Sequence, residues 1–216
     1  MKNLSAASLA LSATLLTGAA LGEPPEKNGS RMPSTESFFY ATAGAGVSYL
    51  TLATVNSSAL ALGNAGGVGE FFDVGIGARL VVFTIGPRLR YHKLGNLDLW
   101  QLNGEVALHV PVRKWDGYVG LHAGYSFVGR LTRAAYSDAS SSTPSEDLRV
   151  RGFDTGLQFG LSYYFSRFFS VGGDLSGEVL FVRRPALATT TDPTFGAAGG
   201  GVGLGATAGL HVGGQI

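Results

Sequence analysis

Eleven ionisable side chains fall on one phase of a two-residue alternation that runs through most of this chain. They are the carboxylates Asp73, Glu105, Asp154, Asp174 and Glu178, the guanidiniums Arg79, Arg88 and Arg90, and the imidazoles His92, His109 and His122. Acids, bases and cations brought into one narrow space could exchange protons, hold an ion, or neutralise one another. Buried charges persist only when paired and hydrogen-bonded, so mutual neutralisation is the simplest reading: a polar network that fills a lumen. Covalent catalysis would need a nucleophile with a base in reach. The chain has no cysteine, which removes thiolate nucleophiles, thiolate metal sites and disulfides. No metal-ligand spacing occurs, and neither metal nor cofactor is expected. The run Gly203-Leu204-Gly205-Ala206-Thr207-Ala208 matches a dinucleotide-binding fingerprint literally. No helical pattern follows it and no acidic residue lies about 20 positions on. The glycines at 199, 201, 203, 205 and 209 read better as the inner face of a strand, kept small where space is short.

Strands must position these groups, because period-two alternation is the mark of a strand whose faces differ chemically. In Leu99 to Val110 the even positions Trp100, Leu102, Val106, Leu108 and Val110 oppose Gln101, Asn103, Glu105 and His109. Val150 to Phe165 sets Phe153, Leu157, Phe159 and Leu161 against Asp154, Gln158 and Ser162. Phe169 to Val182 sets Val171, Leu175, Val179 and Phe181 against Ser170, Asp174, Ser176 and Glu178. Five more segments alternate likewise: Phe39 to Leu52, Glu70 to Leu80, Phe83 to His92, Tyr118 to Arg130 and Phe195 to Val212. The expectation is eight antiparallel strands in an up-and-down barrel. Connections around Val81-Val82, Arg113 to Gly117 and Ser166-Arg167 are short. Val55 to Gly69, Leu131 to Arg149 and Arg183 to Thr194 are long, and Leu94 to Leu97 is the short exception on that side. Such asymmetry suits turns on one side of a membrane and loops on the other. Pro87, in mid-strand, suggests a local bulge.

Composition bounds the class. Glycine at 33 of 216 residues and charge at 14% point to a weakly charged β protein with room for one domain. A net charge of +1 supplies no basic patch for nucleic acid. Residues 1–22, with Lys2 ahead of the apolar stretch Leu4 to Leu21 and the small pair Ala20 and Gly22, read as a signal peptide removed on export. Residues 23–37 form a short polar segment and residues 38–216 the barrel, so the mature chain should begin near Glu23.

Alternation alone also fits a soluble ligand-binding barrel with its greasy face inward. The content of the faces favours the opposite arrangement. No lysine occupies the middle of a strand; Lys93 and Lys114 sit at strand ends. Aromatics on the apolar face gather toward the ends: Phe39, Phe83, Phe165 and Phe169 near the short turns, and Phe72, Tyr91, Trp100, Phe127, Phe153 and Phe181 near the loops. Two aromatic girdles mark two membrane surfaces, and every segment reaches the roughly 9 to 11 residues of a tilted crossing. On this pattern the chain from Phe38 to Ile216 resembles the small outer-membrane β-barrels of the OmpA membrane domain and OmpX type. Those families commonly end in an aromatic residue, whereas this chain ends Gly213-Gly214-Gln215-Ile216.

The resemblance implies a monomeric barrel in the outer membrane of a Gram-negative cell, surrounded by its lipid. Its role would be structural or one of surface interaction through its loops. The loop Leu131 to Arg149, which carries Asp138, Glu146 and Asp147, is the candidate for contact with an extracellular ligand, and a merely solvated loop is the alternative. A narrow porin-like channel and a lipid-modifying enzyme are the alternatives. Lipid A deacylases use a His-x-Ser pair facing lipid, but all four histidines, His92, His109, His122 and His211, take the inner phase. Omptin-like proteases gather acids and a histidine at the outer rim, where His92 points in and Asp98 out. No enzyme is expected.

Folding each hairpin about its turn fixes neighbours. Lys93 faces Asp98, Tyr91 faces Trp100, Arg90 faces Gln101, Arg88 lies diagonal to Glu105, and Glu105 faces His122. Asp154 faces Glu178 if the turn centres on Ser166 and lies diagonal to it if the turn centres on Arg167. Were no arginine to reach that pair, removing the Glu178 charge should be harmless. Arginine should harm the outer face at Val106 more than the inner face at Gln101.

Overall fold

The computed structural model describes residues 38–55, 62, 64–135, 149–186 and 196–215. Eight strands account for most of them: β1 Phe39–Val55, β2 Gly66–Leu80, β3 Phe83–Leu94, β4 Leu97–Val112, β5 Trp115–Leu131, β6 Arg151–Tyr164, β7 Phe169–Arg184 and β8 Gly199–Gln215. Each pairs antiparallel with its sequence neighbours, and β1 pairs with β8 to close the barrel. The proposed signal and polar segment, Asp138, Glu146, Asp147, Phe195 and Ile216 lie outside the described residues.

Most strands run past the ends read from sequence. The alternation is legible only where inner and outer faces differ in chemistry. At the loop end they stop differing, because Leu50, Leu52, Leu94, Leu97 and Leu99 turn inward there and are buried. The last strand differs in the other direction, starting at Gly199 rather than Phe195.

At the end opposite the long loops, two hairpins turn in two residues, Val81-Val82 and Arg113-Lys114, as the flanking pairs Leu80–Phe83 and Val112–Trp115 show. Both place a non-glycine residue at positive φ, Val81 at 58° and Arg113 at 57°. The third turn is held by Ser166, whose Oγ accepts hydrogen bonds from the amides of Phe168 and Phe169 at 3.2 and 3.0 Å.

Pro87 causes no bulge. Gly75 pairs with Arg88 and Ala78 with Ile85, so the β2–β3 register is the same on both sides of the proline. The adjacent Gly77 and Gly86 explain this. A Cβ on Gly77 would sit 2.3 Å from the Ile85 carbonyl oxygen, and one on Gly86 2.0 Å from that of Ile76, so the two backbones can close together where a donor is missing. The irregularities lie at the loop end, between Thr51 and Val55 and at Gly129 of β5, which shifts the register beside Asp98.

The outer face is ordered in rows. Cross-strand pairs join Phe72 to Tyr91, Tyr91 to Trp100 and Trp100 to Phe127 in a continuous aromatic row over four strands, and Phe153, one outward position nearer the turns, lies between Tyr125 and Phe181. Tyr91 and Trp100 rings lie 4.6 Å apart. One residue pair closer to the loops is a row of charge: Glu70–Lys93, Lys93–Asp98 and Asp98–Arg130, with Arg151 beside Arg183. The Gly129 bulge brings Arg130 onto Asp98, to which it donates at 2.9 and 3.0 Å, so Asp98 finds its bidentate partner on β5 and not in Lys93.

Candidate functional site

The inward phase of the strands carries all eleven ionisable groups identified above into one enclosed column, in two layers beneath an apolar third. The middle layer is an ion-pair network. Arg88 donates from Nε and Nη2 to the two oxygens of Glu105 and from Nη1 to Asp73 Oδ1 at 3.0 Å. Gln158 also donates to Glu105. Arg90, 1% exposed, stands 3.5 Å from Asp73 Oδ2 and 3.9 Å from Glu178 Oε2. The face of the Phe71 ring lies 5.5 Å from its guanidinium carbon. Gln101 is a hub: its Oε1 is 2.8 Å from His92 Nε2 and its Nε2 donates to Glu178 Oε2 at 3.0 Å. The diagonal contact of Arg88 with Glu105 and the rows Arg90–Gln101 and Glu105–His122 follow the hairpin folding.

The geometry decides four points that the sequence left open or read otherwise. The β6–β7 turn centres on Arg167, so Asp154 pairs with Leu180 and lies diagonal to Glu178. An arginine does reach Glu178, so the condition under which its charge would be dispensable is not met. His122 faces Glu105 in register but turns its ring to Glu178, with Nε2 3.5 Å from Oε2. Gln101 is fully buried and bonded on both sides, so the inner face there offers no room for a mild Gln101→Arg change.

At the turn end, a cavity of about 60 Å³ is lined by residues including Tyr40, Thr84, Arg88, His109, Tyr118 and His211. Two hydroxyl–imidazole–carboxylate chains flank it. Thr84 Oγ1 is 3.0 Å from His109 Nε2, and His109 Nδ1 is 3.0 Å from Asp116 Oδ2, which also accepts from Arg79 at 2.9 Å. Ser162 Oγ is 2.8 Å from His211 Nε2, while His211 Nδ1 is 3.9 Å from Asp174. Sequence reasoning placed Ser162 and His211 on the inner phase without giving them a part in this layer, and missed Asp116 and Thr84 altogether. Asp116 fell in a region read as turn, and small hydroxyls on a lumen phase carry no signal. The order of groups is that of a nucleophile with its base and orienting acid. Among the described residues the neighbouring strand amides are committed to ladders, and the cavity is smaller than an acyl or peptide substrate. These chains satisfy buried polar groups and hold Arg79 and Asp174.

The loop end is closed by a layer the sequence did not reveal. Leu50, Leu52, Leu62, Ala65, Leu94, Leu97, Leu99, Leu131, Ala135, Val150, Leu180 and Val182 form one buried apolar cluster. Asn96 ties the chain over it, accepting from the Gly66 amide at 3.2 Å through Oδ1 and from the Thr132 amide at 2.9 Å through its carbonyl. Asp174 and Glu178 of β7, Arg79 of β2 and His109 of β4 sit on the turn side of this lid.

No known family model and no curated protein sequence matches the chain. Solved structures do. Neisserial surface protein A superposes with a TM-score of 0.56 at 12% identity, over 82% of this chain and 97% of that one. The N-terminal β-barrel domain of Pseudomonas aeruginosa OprF gives a TM-score of 0.47 at 14% identity, covering 83% and 98%. The outer membrane protein OprG of the same organism gives 0.44 at 8%, covering 83% and 96%. At 12% identity the likeness to the Neisserial protein is one of fold: the closed, eight-stranded, up-and-down barrel of a small outer-membrane protein.

Proposed function

We propose that this protein is a small, monomeric outer-membrane barrel whose lumen is sealed and whose contacts with the outside are made by its loops. The observation that carries the reading is the inversion of its surfaces. Between the charged row at the loop end and Arg113, Lys114 and Arg167 at the turn end, the outward side chains of the described strands are apolar, aromatic or small. Leu210 is 71% exposed, Leu121 61% and Val106 46%, while Arg90, Asp154 and Glu178 are buried. Water would not support such an exterior; lipid does. Lipid is therefore the first partner. Arg151 and Arg183, adjacent and outward just above the aromatic girdle, are suited to the phosphates of lipid headgroups. The long connection from Leu131 to Arg149 is the segment from which external ligand contacts would be made.

Fractionation tests the location: the protein should be found in outer membranes and migrate differently before and after boiling. Recovery from the soluble fraction would overturn the membrane reading. Mass spectrometry of that material should find a chain starting near Glu23. Planar-bilayer recordings test the seal, with no conductance steps expected; steady openings would make the protein a narrow channel instead.

A further inference from the structure

We propose that His122, Asp154 and Glu178 form a buried site for a divalent transition-metal ion in the middle of the lumen. The three come from β5, β6 and β7, so no linear motif announces them. Their ligand atoms all lie within 4.8 Å of one another, and all three residues are buried.

The hydrogen bonding around them separates oxygens that are held from oxygens that are bare. Asp154 Oδ2 accepts from Ser126 Oγ, and Glu178 Oε2 accepts from Gln101. Asp154 Oδ1 and Glu178 Oε1 are buried with no hydrogen-bond partner, and so are both ring nitrogens of His122. His122 Nε2 stands 3.5 Å from Glu178 Oε2 without the alignment of a hydrogen bond. Orphaned buried polar atoms are costly and rare. Several from three neighbouring side chains, each carboxylate oriented by a donor on its other oxygen, is the arrangement by which outer partners aim metal ligands. Asn103 Oδ1 is a further orphaned oxygen, lying over Gly124, the residue paired with Asp154.

The backbone leaves room for these atoms. Gly156 is paired with both His122 and Glu178, and a Cβ there would sit 2.7 Å from His122 Nε2. A Cβ on Gly205 would sit 2.6 Å from Glu178 Oε1. Charge points the same way. The middle layer buries Asp73, Glu105, Asp154 and Glu178 against Arg88 and Arg90, an excess of two carboxylates over guanidiniums that one divalent cation would balance. One imidazole nitrogen with two carboxylate oxygens suits zinc and its first-row neighbours better than calcium or magnesium, which take oxygen alone. Ligand atoms about 2.1 Å from such an ion lie about 3.4 Å apart, so loading draws the three side chains together by small terminal rotations.

Because side chains close the lumen, the ion is added during refolding of the full chain into detergent micelles, using Co²⁺ as a spectroscopic probe and Zn²⁺ as its competitor. The expected result is one Co²⁺ retained per chain after gel filtration, with a visible d–d band and displacement by Zn²⁺. His122→Gln and Asp154→Asn, checked for folding by heat-modifiable migration, should each weaken retention by at least about 100-fold, since losing even an outer partner costs about 10- to 100-fold. Asp98→Asn at the rim should leave it unchanged. Failure of the unsubstituted protein to retain an ion overturns the proposal, as does undiminished retention by either folded variant. If neither variant folds, pulsed EPR of Mn²⁺ bound to the unsubstituted protein decides: coupling to one imidazole nitrogen is expected, and none would overturn the site.

Discussion

Glu105 and Glu178 show how unequal two buried carboxylates in one lumen can be. Glu105 holds Arg88 through both of its oxygens and also accepts from Gln158, whereas Glu178 meets Arg90 only at 3.9 Å and shares it with Asp73. Glu105→Gln therefore takes from Arg88 its two-point carboxylate partner and leaves it the single contact with Asp73, and should destabilise by about 3 to 5 kcal/mol. Glu178→Gln leaves Arg90 its contact with Asp73 and should cost distinctly less. Urea unfolding of the two variants from the same micelles gives the comparison, and the reverse order would show that Arg88 does not depend on Glu105. The members of this network were readable in sequence because period two assigns each residue to a face. Their partners were readable wherever a turn fixed the register. The ring of His122 was not, since a rotamer choice between two carboxylates of the same layer depends on the strand beyond its neighbour.

Individual strands carry two further expectations. On β4, Val106 faces outward in mid-strand and Ala107 faces the cavity beside Thr84 and His109. Val106→Arg should cost about 2 to 4 kcal/mol through insertion of a charge into hydrocarbon. Ala107→Ser, which places a hydroxyl among polar groups, should change stability by less than about 1 kcal/mol. Equal costs would contradict the assignment of faces. On the β2–β3 hairpin, Val81 is β-branched yet sits at φ 58°, a region such residues enter only under strain. Val81→Gly relieves that strain and should stabilise by about 1 kcal/mol, read as slower unfolding in the same assay. A loss of stability would mean that the valine side chain contributes more at the rim than its backbone costs. The same turn explains how the chain reverses with no turn-forming residue: closure of the ladder on both sides imposes the conformation on whatever residues stand there.

For the molecule as a whole, the layering from cavity through ion pairs to apolar lid determines what can pass. Hydrated ions entering from the turn end would meet Arg88 and Glu105 and then a dry seal of leucines. Leu99→Ala with Leu180→Ala removes two fully buried members of that seal. Each should cost about 2 to 5 kcal/mol, and the double variant should show conductance steps that the unsubstituted protein lacks. A variant as silent as its parent would place the barrier in the ion-pair layer.

The sequence by itself determined the number of strands, the two faces, both aromatic girdles and the charged members of the ion-pair layer. All of these follow from a side-chain period that the backbone enforces locally. Tertiary structure alone decided the rest: the apolar lid, the absence of a bulge at Pro87, the two hydroxyl–imidazole–carboxylate chains, and the meeting of His122, Asp154 and Glu178. In the lid the contrast between faces vanishes, so alternation carries no signal. At Pro87 the answer lay in two glycines on different strands. The buried clusters join side chains across several strands, where the height of each residue depends on the register of every intervening pair, and a shift of one turn centre from Ser166 to Arg167 moves the contacts.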